Sequence, residues 1–121
     1  MAKFMLILHE DPAAFRDVSP EDMQQVVEKY SAWARALAER GQHAGDNKLN
    51  DDGGRWLSRA NGQITAVDGP FTEAKEVVGG YFLVLADDMA AAEAIAMNCP
   101  HLEYGGRIEL RQVDDIPGDH E

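Results

Sequence analysis

Seven consecutive residues, Gly80–Ala86 (GYFLVLA), are apolar on both sides of a would-be strand. Side chains of a strand alternate between its two faces. Such a segment is the best candidate for a central strand. A second apolar segment, Lys3–His9 (KFMLILH), is bounded by Glu10-Asp11-Pro12 and reads as a buried strand with Phe4, Leu6 and Leu8 on one face. Between them lies a well-punctuated helix. Ser19 is placed to cap it, Pro20 takes the first helical position, and Asp22 follows three residues after the cap. Met23, Val26, Val27, Tyr30, Trp33, Ala34 and Leu37 then recur at helical spacing, and Gly41 is placed to end the helix in a left-handed cap.

Asn61-Gly62 predicts a type I′ hairpin joining Arg55–Ala60 to Gln63–Val67, because both central residues of that turn need positive φ. Asp87 or Asp88 caps a second helix whose buried stripe is Ala92, Ile95, Ala96 and Cys99, and Pro100 ends it. Arg107–Val113 alternates as a closing strand with Ile108 and Leu110 inward. Two β-α-β halves of this kind predict an α+β fold, a ferredoxin-like βαββαβ sandwich with the Asn61-Gly62 hairpin inserted between the halves. Two helices can cover one face of the sheet. The other, with Met5, Ile7 and Phe82 or Tyr81, stays apolar and open, which predicts a homodimer packed sheet to sheet.

The chain has 121 residues, enough for one domain and one core. That domain is expected over residues 1–113, followed by an acidic, flexible tail over 114–121. Eleven basic against 22 acidic residues give a formal charge of −11, and Lys and Arg gather nowhere. Nucleic acid, which selects for a positive stripe, is an unexpected partner, and so is an anionic membrane. No apolar run reaches the roughly 18 residues of a membrane span, and the N-terminus leads into a strand rather than a signal peptide, so a cytoplasmic location is expected. Cys99, the sole cysteine, reads as a buried hydrophobe. No spacing matches a metal centre, and Gly79-Gly80 lacks the context of a dinucleotide fingerprint, so no metal or cofactor is expected. A bulge explains that glycine pair.

The stretch Val67–Phe82 (VDGPFTEAKEVVGGYF) concentrates the candidate site. Asp68 opens a rigid corner, since its carboxylate suits a turn and Pro70 extends Gly69. Thr72 is placed to cap one helical turn in which Glu73 and Glu76 share a face, while Lys75 points elsewhere or pairs with a neighbouring acid. Two such carboxylates suit acid–base work or the clamping of a cationic or hydroxylated ligand; their structural alternative is a solvated charge cluster. Among the histidines, His9 ends the first strand and His101 follows Pro100 in a loop, whereas His43 and His120 read as solvated. Trp33 belongs to the core, and Trp56 on the hairpin covers a pocket or a partner. The expected site binds a small polar molecule, with His9 or Asp68 carrying the proton and Glu73, Lys75, Glu76, Arg55, Tyr81 and His101 binding ligand.

Asp68–Glu76 (DGPFTEAKE) followed by Gly79–Val84 (GGYFLV) resembles the DGPF group of YciI-like proteins. KFMLIL near the start, Cys99-Pro100 and Gly105–Arg111 (GGRIELR) extend the resemblance over nearly the whole chain. It implies a dimeric α+β barrel of two ferredoxin-like protomers. It also implies two function classes: an enzyme using a His–Asp pair in a pocket, or an accessory protein working with an extracytoplasmic-function sigma factor. Gln112 stands where the closing strand of the group often has Arg before Pro, and the first helix has no histidine, so the dyad does not carry over to that helix.

Overall fold

In the computed structural model, the described residues are 1–51, 53–68 and 76–116. The corner at 69–75, with Glu73 and Lys75, and the end of the tail at 117–121 lie outside them.

The elements run β1 (Ala2–Glu10), α1 (Pro20–Glu39), β2 (His43–Lys48), β3 (Arg55–Ala60), β4 (Gln63–Asp68), β5 (Val77–Ala86), α2 (Met89–Ala96), a short 3₁₀ helix (Pro100–Tyr104) and β6 (Arg107–Gln112). Four strands form one sheet in the order β2-β5-β1-β6, with every neighbouring pair antiparallel. β3 and β4 form a separate hairpin. The fold is thus α+β, with two α-helices and antiparallel sheets. The apolar GYFLVLA segment is central, paired with β1 on one side and β2 on the other.

Local chemistry accounts for the element ends. The Ser19 hydroxyl accepts from the Asp22 amide and Pro20 opens α1; Gly41, at φ 71°, releases the chain afterwards. The Asp88 carboxylate accepts from the Ala91 amide and caps α2. Asn61 and Gly62 take φ of 52° and 77°, the positive values that the hairpin turn needs. α2 stops at Ala96, three residues before Cys99, and Pro100 opens the 3₁₀ helix instead of merely ending α2.

Alternation along β1 and β5 separates two faces. Phe4, Leu6 and Leu8 with Phe82, Val84 and Ala86 are buried beneath the helices, where Leu37, Ala92, Ala96 and Cys99 complete the core. Phe82 therefore belongs to the helix side, and Tyr81 to the other. On that other face Met5, Ile7, Tyr81, Leu83 and Leu85 are half-buried. The β6 residues beside them on this face, Arg107, Glu109 and Arg111, are charged.

β2 had no apolar alternation to announce it. Its sequence, HAGDNK, is polar, and its place is set by pairing to β5. His43 accordingly opens a strand rather than standing free in a turn, with Nε2 2.7 Å from Asp46 Oδ2. Among the described residues no helix is long and apolar enough to cross a membrane.

Candidate functional site

A cavity of about 420 Å³ opens between α1 and the ends of β1, β2 and β5. Its floor is apolar, formed by Leu8, Phe82 and the α1 residues Met23 and Val26, with Phe15 at one side. Its polar groups include Glu10, Tyr30 and His101, with Asp46, Asn47, Lys48 and Asp51 at the β2 side, and Ser31 and Tyr81 also in the lining.

Two glycines make this cluster sterically possible. The β1–β5 register slips between Leu8 and His9, pairing Leu8 with Gly80 and His9 with Val78, so Gly79 is the extra residue of a bulge. A Cβ on Gly79 would collide with the Glu10 carboxylate. A Cβ on Gly106 would collide with the His101 ring. Gly80 is equally constrained from the β2 side, where a Cβ would lie 2.7 Å from the Asn47 carbonyl oxygen. The glycine pair thus brings β2 close and makes room for a carboxylate.

His101 is 2 % exposed, and both of its ring nitrogens are engaged. Nε2 lies 2.8 Å from the His9 carbonyl oxygen. A carbonyl only accepts, so Nε2 carries hydrogen and donates. In the neutral ring Nδ1 is then an acceptor, and the Tyr30 hydroxyl donates to it at 2.9 Å. The Tyr30 ring is held by stacking against Phe82 at 6.5 Å and Tyr104 at 6.2 Å between centroids. Burial pushes the Tyr30 phenol well above its ordinary range, with Cys99 and Glu10 adding to the rise, so it stays protonated at neutral pH. Burial likewise pushes the Cys99 thiol up to about 11, which keeps it an inert part of the core.

Glu10 is the cavity's perturbed acid. Burial raises its pKa above the usual carboxylate value; a proton on His101 pulls it down, Asp51 pushes it up, and Lys48 pulls it down. Among the described residues no hydrogen bond ties the Glu10 carboxylate down. Lys48 is already committed, its Nζ donating at 2.9 Å to both Leu49 O and Asp51 Oδ1.

The residues singled out from the sequence distribute unevenly. His101 lines the cavity, from the 3₁₀ helix rather than from a loop. Tyr81 also lines it, although strand alternation turns its side chain to the open face, where its hydroxyl accepts from Asn47 Nδ2 at 2.9 Å. His9 contributes its carbonyl to the cluster, while its ring pairs with Glu109 at 3.0 Å on the open face. Glu76 makes two 2.7 Å hydrogen bonds with Arg107, which hold its carboxyl below the usual range. Asp68, 91 % exposed, sits at the hairpin base with Arg55 Nε 3.7 Å away. Of the expected set, then, His101 and Tyr81 reach the cavity, and Asp68, Arg55 and Glu76 form ion pairs outside it. Glu10 and Tyr30 are the members that sequence reading missed. Tyr30 lay on the helix stripe and looked like core; Glu10 stood one residue beyond the histidine that drew attention. Among the described residues no three His, Cys, Asp or Glu side chains converge to hold a metal ion.

Fold and site together define an α+β protein with a ligand-sized cavity between its long helix and its sheet. The chain belongs to the YCII-related domain family, which it matches over residues 2–116. No curated protein matches it.

Proposed function

We propose that the protein binds a small amphipathic molecule in the α1–sheet cavity, with Glu10 as the group that exchanges a proton with it. The observation carrying this reading is a carboxylate of raised pKa, facing an apolar cavity, beside a fully bonded Tyr30–His101 pair. Perturbed acids in clefts concentrate at functional sites, and a carboxylate poised upward in pH is suited to both giving and taking a proton. The apolar floor favours a molecule with a substantial apolar body over a wholly polar one. Tyr30 and His101 position rather than react, because each of their polar hydrogens is already committed.

A thermal-shift screen of amphipathic metabolites tests this on the wild type, Glu10→Gln and Asp68→Asn. Ligand at about 100 times its Kd adds about 2.7 kcal/mol of stability, a rise of several degrees. The rise is expected in the wild type and in Asp68→Asn, and is expected to shrink in Glu10→Gln. A screen in which nothing shifts the wild type overturns the reading. Loss of the shift in Asp68→Asn but not in Glu10→Gln moves the site to the DGPF corner.

A second reading rests on the hairpin. Trp56, Leu57, Ile64 and Val67 are all more than half exposed, so β3–β4 presents apolar side chains to a partner. In this reading the DGPF motif marks an accessory protein, and the hairpin contacts either a second copy within a dimeric α+β barrel of ferredoxin-like protomers or a regulator such as a sigma factor. Trp56→Ser with Ile64→Ser would then weaken assembly while leaving ligand shifts intact.

A further inference from the structure

We infer that the cavity selects a ligand whose polar end is a hydrogen-bond donor bearing positive charge, an ammonium on an apolar body, and discriminates against carboxylates and phosphates. The inference rests on the cavity being a ligand site and goes further by assigning the chemistry of the head group.

Around Glu10 and the Tyr30–His101 pair the donor and acceptor inventory is one-sided. The single hydrogen of the Tyr30 hydroxyl is directed to His101 Nδ1 at 2.9 Å, so towards a ligand that oxygen can only accept. His101 Nε2 spends its hydrogen on the His9 carbonyl at 2.8 Å. The Glu10 carboxylate, packed over Gly79, is an acceptor without a donor when ionised. The cavity's one ammonium, Lys48, is neutralised by Asp51 at 2.9 Å and also donates to a backbone carbonyl. Asp46 on the same side accepts from His43 at 2.7 Å. The neutral donors Ser31, Asn47 and Tyr81 also line the cavity, but among the described lining residues Lys48 is the one cation of fixed charge, and it is engaged.

The charge count points the same way. Three carboxylates (Glu10, Asp46 and Asp51) line the cavity against one Lys, within a chain of formal charge −11. A field of that sign raises the local concentration of cations and repels anions. Phe15 also lines the cavity, and an aromatic ring attracts an ammonium that comes within about 6 Å of its centroid. An ammonium beside Glu10 would also offset the burial that now penalises its charged form, coupling ligand binding to proton release from Glu10.

Three probes with one body and different heads test this by calorimetry at neutral pH: 2-phenylethylamine, 2-phenylethanol and phenylacetate. The amine is expected to bind about tenfold or more tightly than the acid, with the alcohol between, and the gap is expected to narrow as salt rises. Glu10→Gln is expected to remove most of that preference while retaining binding of the alcohol. Equal binding of all three, or tightest binding of the acid, overturns the head-group inference and leaves the cavity as a site. Binding of none, by heat or by thermal shift, overturns both.

Discussion

At the scale of single residues, the stability of the molecule and the chemistry of the cavity pull in opposite directions at Glu10. A carboxylate whose folded pKa lies above its unfolded value holds its proton more tightly when folded, so the folded state is favoured as pH falls through the folded pKa. Between the model-peptide value of 4.5 and the raised folded value, stability declines as pH rises, and above it the cost of the buried charge is fully present. Glu10→Gln is therefore expected to raise Tm near neutrality, with the gain disappearing below about pH 4. Melting curves at acid and neutral pH check this; a variant less stable than the wild type at neutral pH would mean that the charge makes a favourable contact. Little of this was legible beforehand. Glu10 in sequence is one of two acidic residues between the first strand and Pro12, and nothing local says that it turns inward over a glycine.

At the scale of elements, sequence reading succeeded where the cause is short-range. Ser19 caps α1 through a 3.1 Å bond from the Asp22 amide, and the Asn61-Gly62 turn has the required positive φ at both residues. Ser19→Ala is expected to cost about 1 kcal/mol, seen as a lower denaturation midpoint with an unchanged slope. A change well under that figure would show that packing along α1, through Tyr30 and Leu37, holds the helix with little help from the cap. The polar strand β2 went unread for the converse reason. Its hydrogen bonds are made with β5, more than thirty residues further along the chain, and HAGDNK has neither alternation nor branched residues to signal it. The 3₁₀ helix after Pro100 was hidden in the same way, although it carries His101.

At the scale of the whole molecule, two surfaces lack a partner among the described residues: the face bearing Met5, Ile7, Leu83 and Leu85, and the hairpin with Trp56 and Ile64. An isolated two-stranded hairpin is marginal in water, and an apolar sheet face invites a second layer. The proposed homodimer accounts for at least the first. Leu83→Glu, placing a charge at the centre of that face, is expected to convert a dimer to monomer in sedimentation analysis. A wild type that sediments as a monomer at micromolar concentration would remove the dimer from consideration.

What the sequence determined by itself were the parts governed by neighbours along the chain: the two buried strands, both helix caps, the hairpin turn, the inward residues of β1 and β6, and membership of the family. Alternation, cap chemistry and the φ preference of a turn act over a few residues, so they can be read in order. Tertiary structure alone decided the site. Glu10, Tyr30 and His101 are spread along most of the chain, and they meet only because the Gly79 bulge shifts the register of β5 and Gly106 leaves space for an imidazole. Which hydrogen each of them spends, and hence what the cavity can still accept, follows from that convergence and from no local pattern.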